Sequence, residues 1–171
     1  MSSKISTYYS TAFFNNFSSG IQITDIAMLP ASATNRVRLK RATLMLIDPT
    51  TTLYSITAKL IKRSTLDTGG TSSAMSIVPA NSSNPSSTIT PVYYSSNPTT
   101  GTEVGGISFF YGINTQDNSR CEILFGQNDS EAPELAAGST ECFVIDLDNT
   151  IFTTGSITPA IFIAFEYQEL F

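Results

Sequence analysis

Between Arg36 and Leu66 every second side chain tends to be apolar, and a chain patterned this way is committed to β-structure. Tyr54, Ile56, Ala58 and Leu60 alternate with Ser55, Thr57, Lys59 and Ile61, the period of two that a half-buried strand imposes. Upstream, Val37 and Leu39 alternate with Arg36, Arg38 and Lys40. The phase slips at Lys40-Arg41, and Ala42, Leu44 and Leu46 continue on the other parity. One extra residue turns every later side chain to the opposite face, so the slip predicts a β-bulge; burial of Leu44–Ile47 on both faces is the alternative. Asp48-Pro49 carries turn chemistry, because proline presets φ and the Asp carboxylate can bond the backbone ahead of it. The stretch therefore reads as a hairpin of two long strands.

The rest of the chain repeats the theme. Ile21–Leu29 reads as a strand with Ile21, Ile23 and Ile26 inward, stopped by Pro30. Ser64–Gly101 is dense in Ser, Thr, Asn, Pro and Gly, with a Gly69-Gly70 turn and Asn-Pro pairs at Asn84-Pro85 and Asn97-Pro98. Short strands around Met75–Val78 and Thr88–Tyr94 interrupt it, which makes it an ordered loop system, not a linker. Val104–Ile113, with Ile107, Phe109, Tyr111 and Ile113 on one face, Arg120–Phe125 and Thr140–Leu147 follow. A turn or single helical turn is expected at Pro133–Gly138. Pro159–Tyr167 is apolar on both faces, Ile161, Ile163 and Phe165 on one and Ala160, Phe162 and Ala164 on the other, so it is expected to be covered twice. Eight or nine strands without an amphipathic helix predict an all-β, antiparallel β-sandwich. A jelly roll is the leading topology, and an immunoglobulin-like sandwich, lacking its Cys…Trp…Cys mark, is the runner-up.

Residues 1–20 are polar but carry Tyr8, Tyr9, Phe13, Phe14 and Phe17. Five rings are of little use to a flexible tail. The segment is read as an aromatic-rich N-terminal arm that docks onto a partner, with packing on its own domain as a first edge strand the alternative. Residues 21–171 form a single sandwich domain. Apolar side chains in excess of what one sandwich can cover point to an assembly interface made of Tyr8, Tyr9, Phe13, Phe14, Phe17, Phe162, Leu170 and Phe171.

Charge is divided unevenly along the 171 residues. Residues 1–100 hold eight basic and three acidic side chains, residues 101–171 one and eleven, a net of +5 against −10. Arg36, Arg38, Lys40, Arg41, Lys59, Lys62 and Arg63 are the candidate electrostatic contacts. A nucleic-acid partner is disfavoured, since an acidic protein is repelled by phosphates at long range. The plainer reading is attraction between the two halves, within one fold or between neighbouring copies.

The inventory of reactive groups is thin. The chain has no His, which removes the usual general base, metal ligand and pH switch and excludes a Ser-His-Asp triad. No enzymatic activity, cofactor or metal is expected. Asp146 and Asp148 share a strand face about 7 Å apart, a spacing open to a glycosidase pair or part of a Ca²⁺ site, but a solvated strand exit is the simpler account. Glu131, Glu134 and Glu141 read as a charged rim. Gly69-Gly70 and Gly105-Gly106 have no following Lys and no helix behind, so they are turn and bulge glycines. Cys121 and Cys142 are expected as free thiols, Cys142 on the face of Val144 and opposite Phe143, Ile145 and Leu147. The N-terminal stretch lacks the apolar core of a signal peptide, and no run has membrane-spanning length.

Taken together, RVRLKRATLMLI…LYSITAKLIKRS, the following VPANSSNPSSTITPVYYSSNPTTGTEVGG and the closing AIFIAFEYQEL resemble small all-β structural proteins of tailed bacteriophages, those of head decoration, head fibres and minor virion parts. The resemblance implies a jelly-roll, capsid-associated virion protein, made in the host cytoplasm. It would be homo-oligomeric with a trimer favoured, would bind the major capsid protein or other virion proteins and its own copies, and would catalyse nothing. The alternative is a carbohydrate- or receptor-binding head of a phage fibre, using Tyr93, Tyr94 and the Asn/Thr loops; a glycan-cleaving enzyme using the Asp pair is third.

Overall fold

A computed structural model of the chain describes residues 4–14, 24–47, 55–114, 120–125, 132–148 and 160–171. Among these, twelve strands form two antiparallel sheets and no helix occurs. Eight strands have five residues or more: β1 (Ile5–Phe14), β2 (Asp25–Pro30), β3 (Arg36–Ile47), β4 (Ser55–Arg63), β8 (Glu103–Asn114), β9 (Arg120–Leu124), β11 (Cys142–Asp148) and β12 (Ala160–Leu170). Four short ones complete the set: β5 (Ser72–Ala74), β6 (Ser76–Pro79), β7 (Val92–Tyr94) and β10 (Glu134–Leu135).

Sheet A runs β10-β3-β12-β1-β6, with β9 also paired to β3; sheet B runs β5-β7-β2-β11-β4-β8. The main strands pair in a nested series. β1 lies on β12, β2 on β11, β3 on β9 and β4 on β8. The inward faces of both sheets meet in one β-sandwich core that includes Leu39, Leu44, Leu60, Phe143, Ile145, Ile163, Phe165 and Tyr167.

The bulge expected at Lys40-Arg41 is present. Arg41 pairs with Glu166 and Leu39 with Tyr167, leaving Lys40 as the extra residue. Val37 and Leu39 before it and Ala42 and Leu44 after it are all fully buried, as the change of parity requires. The expected hairpin is not. β3 and β4 belong to different sheets, β3 between β12 and β9/β10 and β4 between β11 and β8. Their connection, with Asp48-Pro49 in it, lies outside the described residues, as do Ile21 and Ile23.

The N-terminal segment also differs from the arm reading. Ile5–Phe14 pairs with β12 along its whole length and with β6 on its other side, so it is an interior strand of the sandwich, neither a detached arm nor an edge. Pro133–Gly138 forms the short β10 and a turn closed by Gly138 at φ 69°, without a helical turn.

The Ser64–Gly101 segment is built into the fold. β6 extends sheet A beside β1, and β7 and β5 extend sheet B beside β2. Gly69 and Gly70 turn at φ 68° and 67°, and a Cβ on Gly70 would lie 2.8 Å from the Ser96 carbonyl oxygen, so only glycine fits there.

Candidate functional site: an uncovered sheet face and two buried carboxylate clusters

The two sheets are finished differently on their outer faces. On sheet B, Met28, Tyr94, Cys142 and Val144 form a second buried cluster. The Ser64–Gly101 segment lies against it: Cys142 Sγ donates to the Thr65 carbonyl oxygen at 3.7 Å, and Thr140 Oγ1 to that of Ser64 at 2.9 Å. As expected, Cys142 and Phe143 lie on opposite faces of β11. Both cysteines are free thiols, and burial pushes that of Cys142 up to about 12, which leaves it protonated and inert.

Sheet A has no such cover among the described residues. Along β1, Ser6, Tyr8, Ser10 and Ala12 point inward and are buried. The other parity faces out, with Phe13 60% and Tyr9 39% exposed. Phe13 pairs with the half-buried Phe162 on β12, which pairs in turn with Met45 on β3. Tyr9 pairs with Val78 on β6, itself 56% exposed. At the far end Ile5 pairs with Leu170, next to an exposed Phe171. Thr7, Thr11, Gln168 and Glu166, the last directly opposite Tyr9, interrupt the apolar side chains on this half of the face.

Of the candidate interface residues, Tyr9, Phe13, Phe162 and Leu170 therefore share the outward face, the last two half-buried, while Phe171 is exposed just past the end of β12. Tyr8 does not belong with them. It is fully enclosed, stacks on Tyr167 with ring centroids 5.6 Å apart and donates to the Pro85 carbonyl oxygen at 2.9 Å. Phe17 and the side chain of Phe14 lie outside what is described. Val78 and Leu124, the latter 70% exposed on β9, were not singled out in sequence; each is the outward member of a short strand.

The other half of the same face is ion-paired. Arg36 and Arg38 meet Glu134 at 3.3 and 2.6 Å. Arg41 bonds Glu166 and lies 3.5 Å from Glu122, and Arg120 also pairs with Glu122. Lys62, on sheet B, meets Glu141 at 3.0 Å. The basic first half and acidic second half of the sequence thus attract each other within one fold. Arg36, Arg38, Arg41, Lys62 and Arg63 each have a carboxylate partner in their own chain. Lys40 is the bulge residue, and Lys59 stands opposite Asp146 in the β4/β11 register.

Arg63 anchors the first buried cluster. It is 3% exposed, with Nη2 at 2.9 and 3.0 Å from the two oxygens of Asp25, Nη1 donating to the Gly101 carbonyl oxygen at 2.7 Å, and Nε 3.5 Å from Asp67. Asp146, directly across the ladder from Asp25, lies 3.7 Å from Nη2. Three carboxylates face one guanidinium. Burial above all, then the neighbouring Asp67, pushes the Asp25 carboxyl up to about 7 against the opposing pull of Arg63. Asp146 is thus engaged in the fold, and the Asp148 side chain lies outside what is described. Among the described residues no group of three or more Asp, Glu, Cys or His is arranged to hold a metal.

The second cluster centres on Glu169, which is fully buried on the inward parity of β12. Its oxygens accept from Ser87 Oγ at 2.7 Å, Thr88 N at 2.9 Å, Asn35 Nδ2 at 3.0 Å and Thr88 Oγ1. These bonds clamp residues 87–88 onto the sandwich. Tyr94, one of the two rings expected to face a sugar, is 2% exposed and bonds Met28 Sδ; it belongs to the covered face of sheet B, and Tyr93 is half-buried.

No protein-family model, curated protein or solved structure matches the chain.

Proposed function

We propose that this protein is a non-enzymatic structural component of a virus particle, a capsid-associated decoration or head-fibre subunit that binds its own copies, as a trimer, and the shell. The observation that carries the reading is the outer face of β1 and β6, where Phe13, Val78 and Tyr9 stay in water while the Met28, Tyr94, Cys142 and Val144 patch on sheet B is covered by the chain itself. Large exposed apolar patches mark association surfaces. The ten residues of β1, flanked by β6 and β12, give a face of about 15 by 30 Å, on the order of 450 Å². That is about half of the roughly 800 Å² per partner of a standard interface, a size suited to contacts repeated over a lattice.

Two further points support the reading. We infer a jelly roll from the nested pairing of β1 with β12, β2 with β11, β3 with β9 and β4 with β8, an architecture used by capsid proteins among others. Fold alone does not assign function, so the sequence resemblance to phage head proteins supplies the particle. The same-chain ion pairs over β3 argue for protein neighbours in place of nucleic acid.

Light scattering on the purified protein tests the assembly. The wild type is expected at a multiple of the chain mass, and the double variant Phe13→Asp, Val78→Asp at the mass of one chain with its β-spectrum intact. A wild-type monomer at tens of micromolar would remove the self-association, and absence of the protein at fixed copy number from purified virions would remove the particle.

A further inference from the structure

A groove of about 420 Å³ opens where the Asn81–Ser87 loop meets the β1/β6 edge of sheet A, lined by Tyr8, Ile77, Pro79, Ser82, Asn84, Pro85, Ser86 and Ser87. Its size falls in the range of small-molecule sites. The loop that forms one wall is held at both ends. Ala80 N donates to the Thr7 carbonyl oxygen at 2.8 Å and Asn84 Nδ2 to the same oxygen at 3.4 Å, while Asn84 N closes a turn on Asn81 at 2.9 Å. Tyr8, enclosed beneath the groove, donates to the Pro85 carbonyl oxygen. Ser87 and Thr88 are clamped by Glu169, and Ile89 enters the core at 4% exposure. A groove fixed in this way costs little ordering on binding.

We propose that this groove is a binding site for a neutral saccharide of one or two rings. The lining residues carry no formal charge. The buried Glu169 sits behind Ser87, and its partners among the described residues are hydroxyl and amide donors, so an anionic ligand is disfavoured. The Ser87 hydroxyl is spent on that carboxylate and on Tyr167, whose hydroxyl lies 2.8 Å away. The hydroxyls of Ser82 and Ser86 and the carbonyl oxygen of the Asn84 side chain take no part in the loop's own network. They can donate to and accept from sugar hydroxyls, while Ile77, Pro79 and Pro85 offer apolar surface to the C–H face of a ring. Hydrogen bonds at the rim and apolar contact across the floor are what a polyol with one hydrophobic face requires.

Saturation-transfer NMR on the whole chain, with lactose, cellobiose and N,N′-diacetylchitobiose as neutral probes and glucuronic acid and glucosamine as charged ones, tests this. At least one neutral disaccharide is expected to receive saturation from the protein. Asn84→Ala is expected to weaken that binding about tenfold. Ser86→Trp, a change at an exposed loop position that fills the groove, should abolish it without altering the protein's own spectrum. No transfer to any neutral probe, equal transfer in Ser86→Trp, or stronger transfer to a charged probe would each overturn the proposal. The result does not depend on the oligomeric state and therefore stands apart from the particle reading.

Discussion

At the scale of single residues, the two buried carboxylates make opposite demands. Glu169 is satisfied by donors alone, so Glu169→Gln turns an acceptor into a donor facing donors. The loss is expected to be about 2 kcal/mol, read by urea unfolding, with amide exchange in residues 84–89 accelerating first. Asp25 shares Arg63 with Asp67 and Asp146, and its raised pKa fixes a sign. Its folded-state value is about 7 against 3.8 for the free carboxyl, so the folded protein holds a proton that the unfolded chain releases. Asp25's contribution to stability is complete below the lower value and declines as pH rises to the upper one. Groups facing it are Asp67, Asp146, Arg63, Cys142 and Tyr94. Unfolding free energy measured at about pH 5 and about pH 7.5 should fall in the wild type and fall less in Asp25→Asn; equal slopes would refute the assignment. Arg63→Met, which strands the carboxylates, is expected to cost about 3 kcal/mol or more in the same assay.

At the scale of elements, periodicity reports which faces a strand has and is silent on its neighbours. The bulge at Lys40 was legible because a change of parity is written in the residues themselves. The partners of β3 and β4 were not, since a local turn signal at Asp48-Pro49 says nothing about which sheet the chain enters next. β1 was misread for a different reason. Its inward parity contains Ser6 and Ser10, both buried with hydroxyls lacking a hydrogen-bond partner, while its outward parity contains Ile5, Tyr9 and Phe13. With Tyr8 and Ala12 inward and Thr7 and Thr11 outward as well, both parities mix polar and apolar residues, so alternation does not say which side faces the core. Glu169 was findable, because it continues the parity of Ile161, Ile163, Phe165 and Tyr167 in an otherwise apolar strand. Since β1 sits between β12 and β6 and places Tyr8 in the core, removing residues 1–14 should abolish folding and not merely assembly. The loss of cooperative thermal unfolding in circular dichroism would report it, whereas a native-like melt would restore the arm.

At the scale of the whole molecule, the net charge of −5 conceals a surface whose basic strand is neutralised internally. The protein is therefore expected to pass through a heparin column at 0.1 M salt (Debye length about 10 Å); retention would reopen a nucleic-acid role. The nested pairing has a consequence in time. Sheet A is centred on β12, the last of the described strands, which joins β3 to β1 and matches Ile5 with Leu170. During synthesis, an emerging chain can hold β1 and β3 for many seconds with nothing between them, and loop closure over such separations is slow. The central seam of sheet A is thus stitched only once β12 has emerged, and a nascent-chain chaperone has its longest opportunity in the interval before Ala160 appears.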